Sequence, residues 1–141
     1  MAKKRRPPVT GQRRLPADST WQTEKRKEET LSKATSRAAR GLGLTASMLA
    51  KVLGLDEDSA LLLFEGEFSL KVQSHEGLIA RELIRIFVGL DVLVGHDESL
   101  RLSWLTSFNK AFDDHPLTLI QTSDGRSRLI EYLDLMRQLG T

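Results

Sequence analysis

Residues 75–94 read HEGLIARELIRIFVGLDVLV. Ile79, Leu83, Ile86, Leu90 and Leu93 recur in alternating steps of four and three, and Leu78, Ile84, Phe87 and Val94 widen the stripe. Residues three and four apart share one helix face, so this spacing predicts a single long amphipathic helix. An apolar face this wide has to be buried, as the core of its own domain, as a homodimer interface, or as both. Ile79, Leu83, Ile86 and Leu90 are its candidate interface positions. Gly95-His96 breaks the helix, and Asp97 is placed to cap the next one.

Working toward the C-terminus, that next helix holds Leu100, Trp104 and Leu105, and a loop over 109–115 follows. Pro116 suits a first helical position, with Leu117, Leu119 and Ile120 in a short turn behind it. A last helix starts near Ser123, places Leu129, Ile130, Leu133, Met136 and Leu139 on its buried side and stops at Gly140. Working the other way, residues 69–74 are a linker. Upstream of it, residues 45–64 have a helix-turn-helix pattern. Thr45 caps a helix through Met48, Leu49, Val52 and Leu53, Ala50 marks a close helix crossing, and Gly54 supplies the turn. Asp56 caps the second helix, in which Ala60 and Leu63 face inward.

From Glu24 to Arg40 the chain is rich in helix formers, and Leu31, Ala34, Ala38 and Leu42 fall at helical spacing before Gly41 or Gly43 ends the run. The expected fold is therefore all-α. A disordered basic arm (residues 1–22) precedes a helix-turn-helix N-terminal bundle (23–70) and a small helical domain (71–141).

The net charge of +2 hides an asymmetry: residues 1–40 hold 12 Lys/Arg against 4 Asp/Glu, and the remainder holds 9 against 15. Lys3, Lys4, Arg5, Arg6, Arg13 and Arg14 form the arm's basic clusters. They suit contact with DNA phosphates or serve as a solubilising tail. Trp21 behind them reads as a packing anchor. The second helix of the helix-turn-helix is acidic, with Asp56, Glu57, Asp58, Glu65 and Glu67 and no base, and it places Leu61 and Leu62 outward. Phosphate repels such a helix, so it is expected to meet protein, and Leu61 and Leu62 join the candidate interface.

Catalytic chemistry finds little support. The chain has no cysteine, which excludes disulfides and thiolate sites. His75, His96 and His115 lie about twenty residues apart on separate elements, without the local pairing of a metal site. Gly41-Leu42-Gly43-Leu44-Thr45 lacks the spacing and lysine of a phosphate-binding loop. No cofactor, metal or enzymatic activity is expected. Without a membrane-spanning run or signal peptide, the expected location is the cytoplasm.

One ordered set of residues resembles a known family. The long apolar helix is followed by Gly95-His96-Asp97-Glu98, Trp104-Leu105, Asn109-Lys110-Ala111-Phe112, Pro116-Leu117-Thr118-Leu119-Ile120 and Asp124-Gly125. This order is similar to the toxin-binding domain of the bacterial Xre/MbcA/ParS antitoxins. The resemblance implies an antitoxin that dimerises, binds a RES-type toxin acting on NAD, obstructs its active-site entrance and often represses its own operon. Carried onto matching positions, it makes Trp104, Asn109, Phe112, Pro116 and Leu117, with the terminal Leu139, Gly140 and Thr141, the toxin-binding candidates. Asp113-Asp114 stands where the family commonly has a small, glycine-rich pair. The alternative reading is a helix-turn-helix repressor that binds operator DNA and has no toxin partner.

Overall fold

In a computed structural model, the backbone is described for residues 8–140 and the side chains for residues 20–140. Among the described residues the fold is all-α: α1 (Pro8–Gly41), α2 (Ala46–Leu53), α3 (Glu57–Phe64), α4 (His75–Leu93), α5 (Glu98–Thr106), α6 (Pro116–Leu119) and α7 (Ser123–Gly140). No helix there is long and apolar enough to cross a membrane. Of the arm expected over residues 1–22, residues 1–7, with Lys3, Lys4, Arg5 and Arg6, lie outside the described residues. Residues 8–22 are the start of α1, where Pro8 takes a first helical position that needs no amide donor.

Side-chain caps set the helix starts. Thr45, Asp56, Ser74 and Asp97 accept bonds from the amides of Met48, Ser59, Gly77 and Leu100. Gly54 closes α2 at φ 76°, a left-handed conformation that glycine adopts without a steric penalty. The linker after α3 is tied to α1 by Ser32, whose Oγ accepts the Leu70 amide at 2.8 Å, and by an ion pair of Lys71 with Glu28 at 3.8 Å; Leu70 is fully buried.

The organising element is α4, which packs against both α1 and α7. Ile79, Leu83, Ile86 and Leu90 are buried in the chain's own core, where Leu31, Leu42, Leu53, Leu129 and Leu133 join one continuous cluster. The expectation that these four α4 residues form a partner interface is therefore corrected. Their surface is already removed from water within one chain, and the exposed apolar residues of α4 are Leu78, Val88, Val92 and Leu93. Trp21 does not anchor α1 either: it is 65% exposed, with Lys25 Nζ 5.3 Å from its ring centroid.

Two buried arginines fix the flanking elements to α4. Arg101 of α5 donates from Nη1 to Asp91 at 2.8 Å and from Nε to the Gly41 carbonyl at 2.7 Å, with its guanidinium over the Phe87 ring. Arg126 of α7 donates to Glu82 Oε1 at 2.7 Å and to the Ile120 carbonyl at 2.9 Å. A buried guanidinium is tolerated only where its donors are met in this way. Close backbone approach matters at Gly125, where a Cβ would collide with the Leu119 carbonyl.

Two outcomes follow from these contacts. In a helix interior, Gly→Ala ordinarily adds roughly 1 kcal/mol of stability. Gly125→Ala is expected to do the opposite and cost about 1–3 kcal/mol, read as a lower denaturant midpoint, because backbone must move to admit the methyl. The second outcome concerns Asp91. The His96 side chain, 2.7 Å away, and then the charges of His96 and Arg101 outweigh desolvation and hold its carboxyl below the usual range. A lowered folded value makes its stabilisation complete above the unfolded aspartate value of about 4. That stabilisation is lost as pH falls through the folded value. Asp91→Asn should flatten the acid limb of a stability–pH curve and, by leaving Arg101 without its counter-charge, lower stability near neutrality by about 2–3 kcal/mol.

Candidate partner-binding surface

The loop between α5 and α6 is built around Asn109. Its Oδ1 accepts the Ala111 amide at 2.9 Å, its carbonyl accepts the amides of Phe112 and Asp113, and its own amide donates to the Asp114 carbonyl. The pairing of Asn109 with Asp114 closes the loop as an isolated antiparallel bridge. Asp113 sits at φ 56°, the left-handed region that aspartate tolerates better than most non-glycine residues. This accounts for Asp113 at the place where the family pattern has a small residue: the backbone needs the glycine conformation, and aspartate adopts it.

Beneath the loop, three aromatic rings pack together. The centroid of Phe112 lies 5.0 Å from that of Tyr132 and 6.2 Å from that of Trp104, with both contacts edge-on. Arg128 lies over the Phe112 ring and donates to its carbonyl at 3.1 Å. Phe112 and Pro116 are buried, and Trp104, Asn109 and Leu117 are half-buried. These five residues therefore shape the loop more than they present surface. The exposed residues beside them are Phe108, 56% exposed and edge-on to His115, and Leu135 on α7.

Along α7, Tyr132, Leu135 and Leu139 stand three and four residues apart and share a face. Leu139 is 71% exposed and does not lie on the buried side expected from its spacing, because α4 ends at Leu93 and no helix covers the last turn of α7. Gly140 is also exposed, and Thr141 lies outside the described residues. Two hollows flank the stripe. One, of about 240 Å³, lies between the loop and α7, against Ala111, Phe112, Arg128, Glu131, Tyr132 and Leu135. The other, of about 230 Å³, lies between the ends of α4 and α7, against Gly89, Val92, Leu93, Leu133, Met136, Arg137 and Gly140.

Residues 89–138, which contain the bridged loop, the aromatic cluster and most of both hollows, match the model of the antitoxin Xre/MbcA/ParS C-terminal toxin-binding domain. Over these residues the chain is similar to that toxin-binding domain. No curated protein matches the chain. The matched segment takes in the last turn of α4, α5, α6 and α7 as far as Gln138, so its core is completed by the upstream half of α4 and by α1. Among the described residues no group of three or more His, Asp or Glu is placed to hold a metal ion. The surface instead offers Tyr132 and Arg128 beside the exposed Leu135 around shallow hollows, and tyrosine and arginine are enriched among the residues that dominate protein contacts.

The other candidates lie elsewhere. Leu61 and Leu62 of α3 are 46% and 41% exposed, as an interface requires. Arg13 and Arg14 fall within α1, and their side chains are outside the described residues. The sequence reading missed Arg128, Tyr132 and Leu135; the available signal was their helical spacing on the polar side of the last helix, next to the aromatic loop.

Asp113 gives the test of the loop. Relief of its left-handed backbone by Asp113→Gly should leave the loop intact and stabilise the protein by about 0.5–1 kcal/mol, read as a raised thermal midpoint. Asn109→Ala, which removes the acceptor for the Ala111 amide, should speed hydrogen exchange across residues 110–114 by tenfold or more without unfolding α7.

Proposed function

We propose that the protein is the antitoxin of a two-gene toxin–antitoxin module and neutralises a RES-type, NAD-consuming toxin in the cytoplasm by binding it and obstructing its active-site entrance. The observation behind this reading is the match of residues 89–138 to the toxin-binding domain, together with the exposed Leu135 and Leu139, which share a face with the half-buried Tyr132 beside a braced loop. Neutralisation of this kind needs an occluding shape and a desolvated contact, not reactive groups. The open end of α7 suits the occluding role, since Leu139 and Gly140 project beyond the last residues of α4.

Co-expression with the protein of the adjacent gene tests the proposal. The wild type should restore growth and cellular NAD. Leu135→Glu combined with Leu139→Glu should lose rescue and weaken the complex by 100-fold or more at an unchanged thermal midpoint, because both positions are exposed in the free protein. A neighbour without toxicity, or full rescue by the double variant, would count against this function.

Autoregulation is the finer part of the proposal. The capped α2–α3 pair supports a helix-turn-helix reading, but α3 offers acids and leucines, so contact with operator DNA falls to the basic residues before Gly41. Binding to the promoter should then weaken steeply with salt and depend on Lys3 to Arg6 but not on Leu61 and Leu62. The same gel-shift experiment separates out a repressor without a toxin partner, which binds its operator while the neighbouring protein forms no complex.

A further inference from the structure

A groove of about 510 Å³ runs between α1 and α4, outside the matched residues 89–138. Arg26, Lys27 and Arg81 bring three positive charges to it, and no acidic side chain lines it. These charges are gathered at one end. Beside the groove α1 and α4 advance in the same sense: Glu28 and Ser32 meet Lys71 and Leu70 just before α4 begins, and Gly41 lies against Phe87 further along. Arg26 and Lys27 therefore stand toward the start of α4. The side chain of Arg81 reaches back to the same end, where it donates to the Val72 carbonyl at 2.8 Å. Leu31, Ala34 and Ile84 continue the groove away from the charges as an apolar floor. We infer that this groove binds a free, single-chain anionic amphiphile of the fatty-acid class, with its carboxylate at Arg26, Lys27 and Arg81 and its chain along Leu31, Ala34 and Ile84.

Each part of the groove meets one part of such a ligand. Arg81 is already held by its bond to Val72 and has donors left over, so little further freedom is lost when it grips a carboxylate. Arg26 has no ion pair among the described residues, and Lys27 has only an exposed one, with Glu24 at 3.8 Å. An exposed pair of that length contributes little and is readily exchanged for a ligand. Along the floor Leu31 is buried, while Ala34, Val72 and Ile84 keep part of their apolar surface in water until a chain covers it. From Arg26 to Ala34 the helix rises about 12 Å, the reach of a medium-length acyl chain. The groove's volume is that of a small-molecule site, for which roughly 300–1,000 Å³ is usual. An acidic peptide helix fits it less well, because acids flank the apolar stripe of such a helix along its length and the groove has its cations at one end.

Calorimetric titration of the full-length protein with sodium decanoate, kept below its micelle concentration, tests the inference. One site per chain is expected. Affinity should rise two- to fourfold with each methylene from octanoate to decanoate. Decyltrimethylammonium and decanol should bind at least tenfold more weakly than decanoate. Arg26→Glu with Arg81→Glu should weaken decanoate binding tenfold or more, whereas Lys33→Glu with Arg37→Glu, the same change of charge made away from the groove, should leave it unaltered. Thr30→Trp, on the groove wall, should block the site. All five positions are exposed, so the helical circular dichroism signal should hold in every variant. Methyl resonances of Leu31, Ala34, Val72 and Ile84 should shift on titration while those of Leu135 and Leu139 stay in place. Several equivalents bound per chain, equal affinity for decyltrimethylammonium, or indifference to the groove variants would overturn the inference. Binding to phosphatidylglycerol vesicles without binding of monomeric decanoate would overturn it as well and assign the cations to a membrane surface. An acidic, leucine-rich helical peptide that moves these methyl resonances where decanoate does not would assign the groove to a protein partner instead.

Discussion

Burial of the apolar face of α4 is the constraint from which the rest of the molecule follows. A 19-residue helix with Ile79, Leu83, Ile86 and Leu90 along one side has to remove that side from water, and here it does so between α1 and α7. Fully burying a side chain of this size contributes roughly 1.5–3 kcal/mol, so this face alone outweighs any single polar contact in the molecule. The arginines then give direction to an otherwise unspecific collapse. Asp91 and Glu82 are both on α4, and they receive Arg101 from α5 and Arg126 from α7. Hydrophobic burial brings these helices to α4, and the two ion pairs fix their register.

Much of this was legible in local sequence because the deciding signals are short-range. A cap needs only an acceptor two or three residues ahead of a free amide, and Thr45, Asp56 and Asp97 satisfy that condition within their own segments. Periodicity likewise reveals α4. It does not reveal what covers α4, since an apolar stripe looks the same whether it faces the chain's own helices or a second molecule. For that reason the predicted interface at Ile79, Leu83, Ile86 and Leu90 turned out to be core.

The charged residues show the same limit from the other side. Arg101 and Arg126 read as surface positions in any polar pattern, and only the three-dimensional meeting with Asp91 and Glu82, 10 and 44 residues away, makes them interior. Asp113 is another such case. Its sequence places it only in a loop, and the need for a left-handed backbone appears when Asn109 draws that loop closed. Leu139 has the spacing of a buried residue and is exposed because its supporting helix stops first. Each of these misreadings arises where the environment of a residue is decided by contacts that a helical or polar pattern does not encode.

Part of the exposed apolar surface that remains falls into two sets of residues. One comprises the α1–α4 groove; the other comprises the loop and α7. They meet only on α4, which gives Arg81 and Ile84 to the first and Gly89, Val92 and Leu93 to the second. Five residues of helix separate Ile84 from Gly89, about 7.5 Å of rise, with no shared side chain. Substitutions that far apart ordinarily act additively, so occupation of one surface leaves the energetics of the other nearly unchanged. Both surfaces are nevertheless held by the same buried face, and loss of packing under α4 would disable both at once. A defect shared by the two surfaces therefore points to the core, and a defect in one alone points to the surface where the substitution lies.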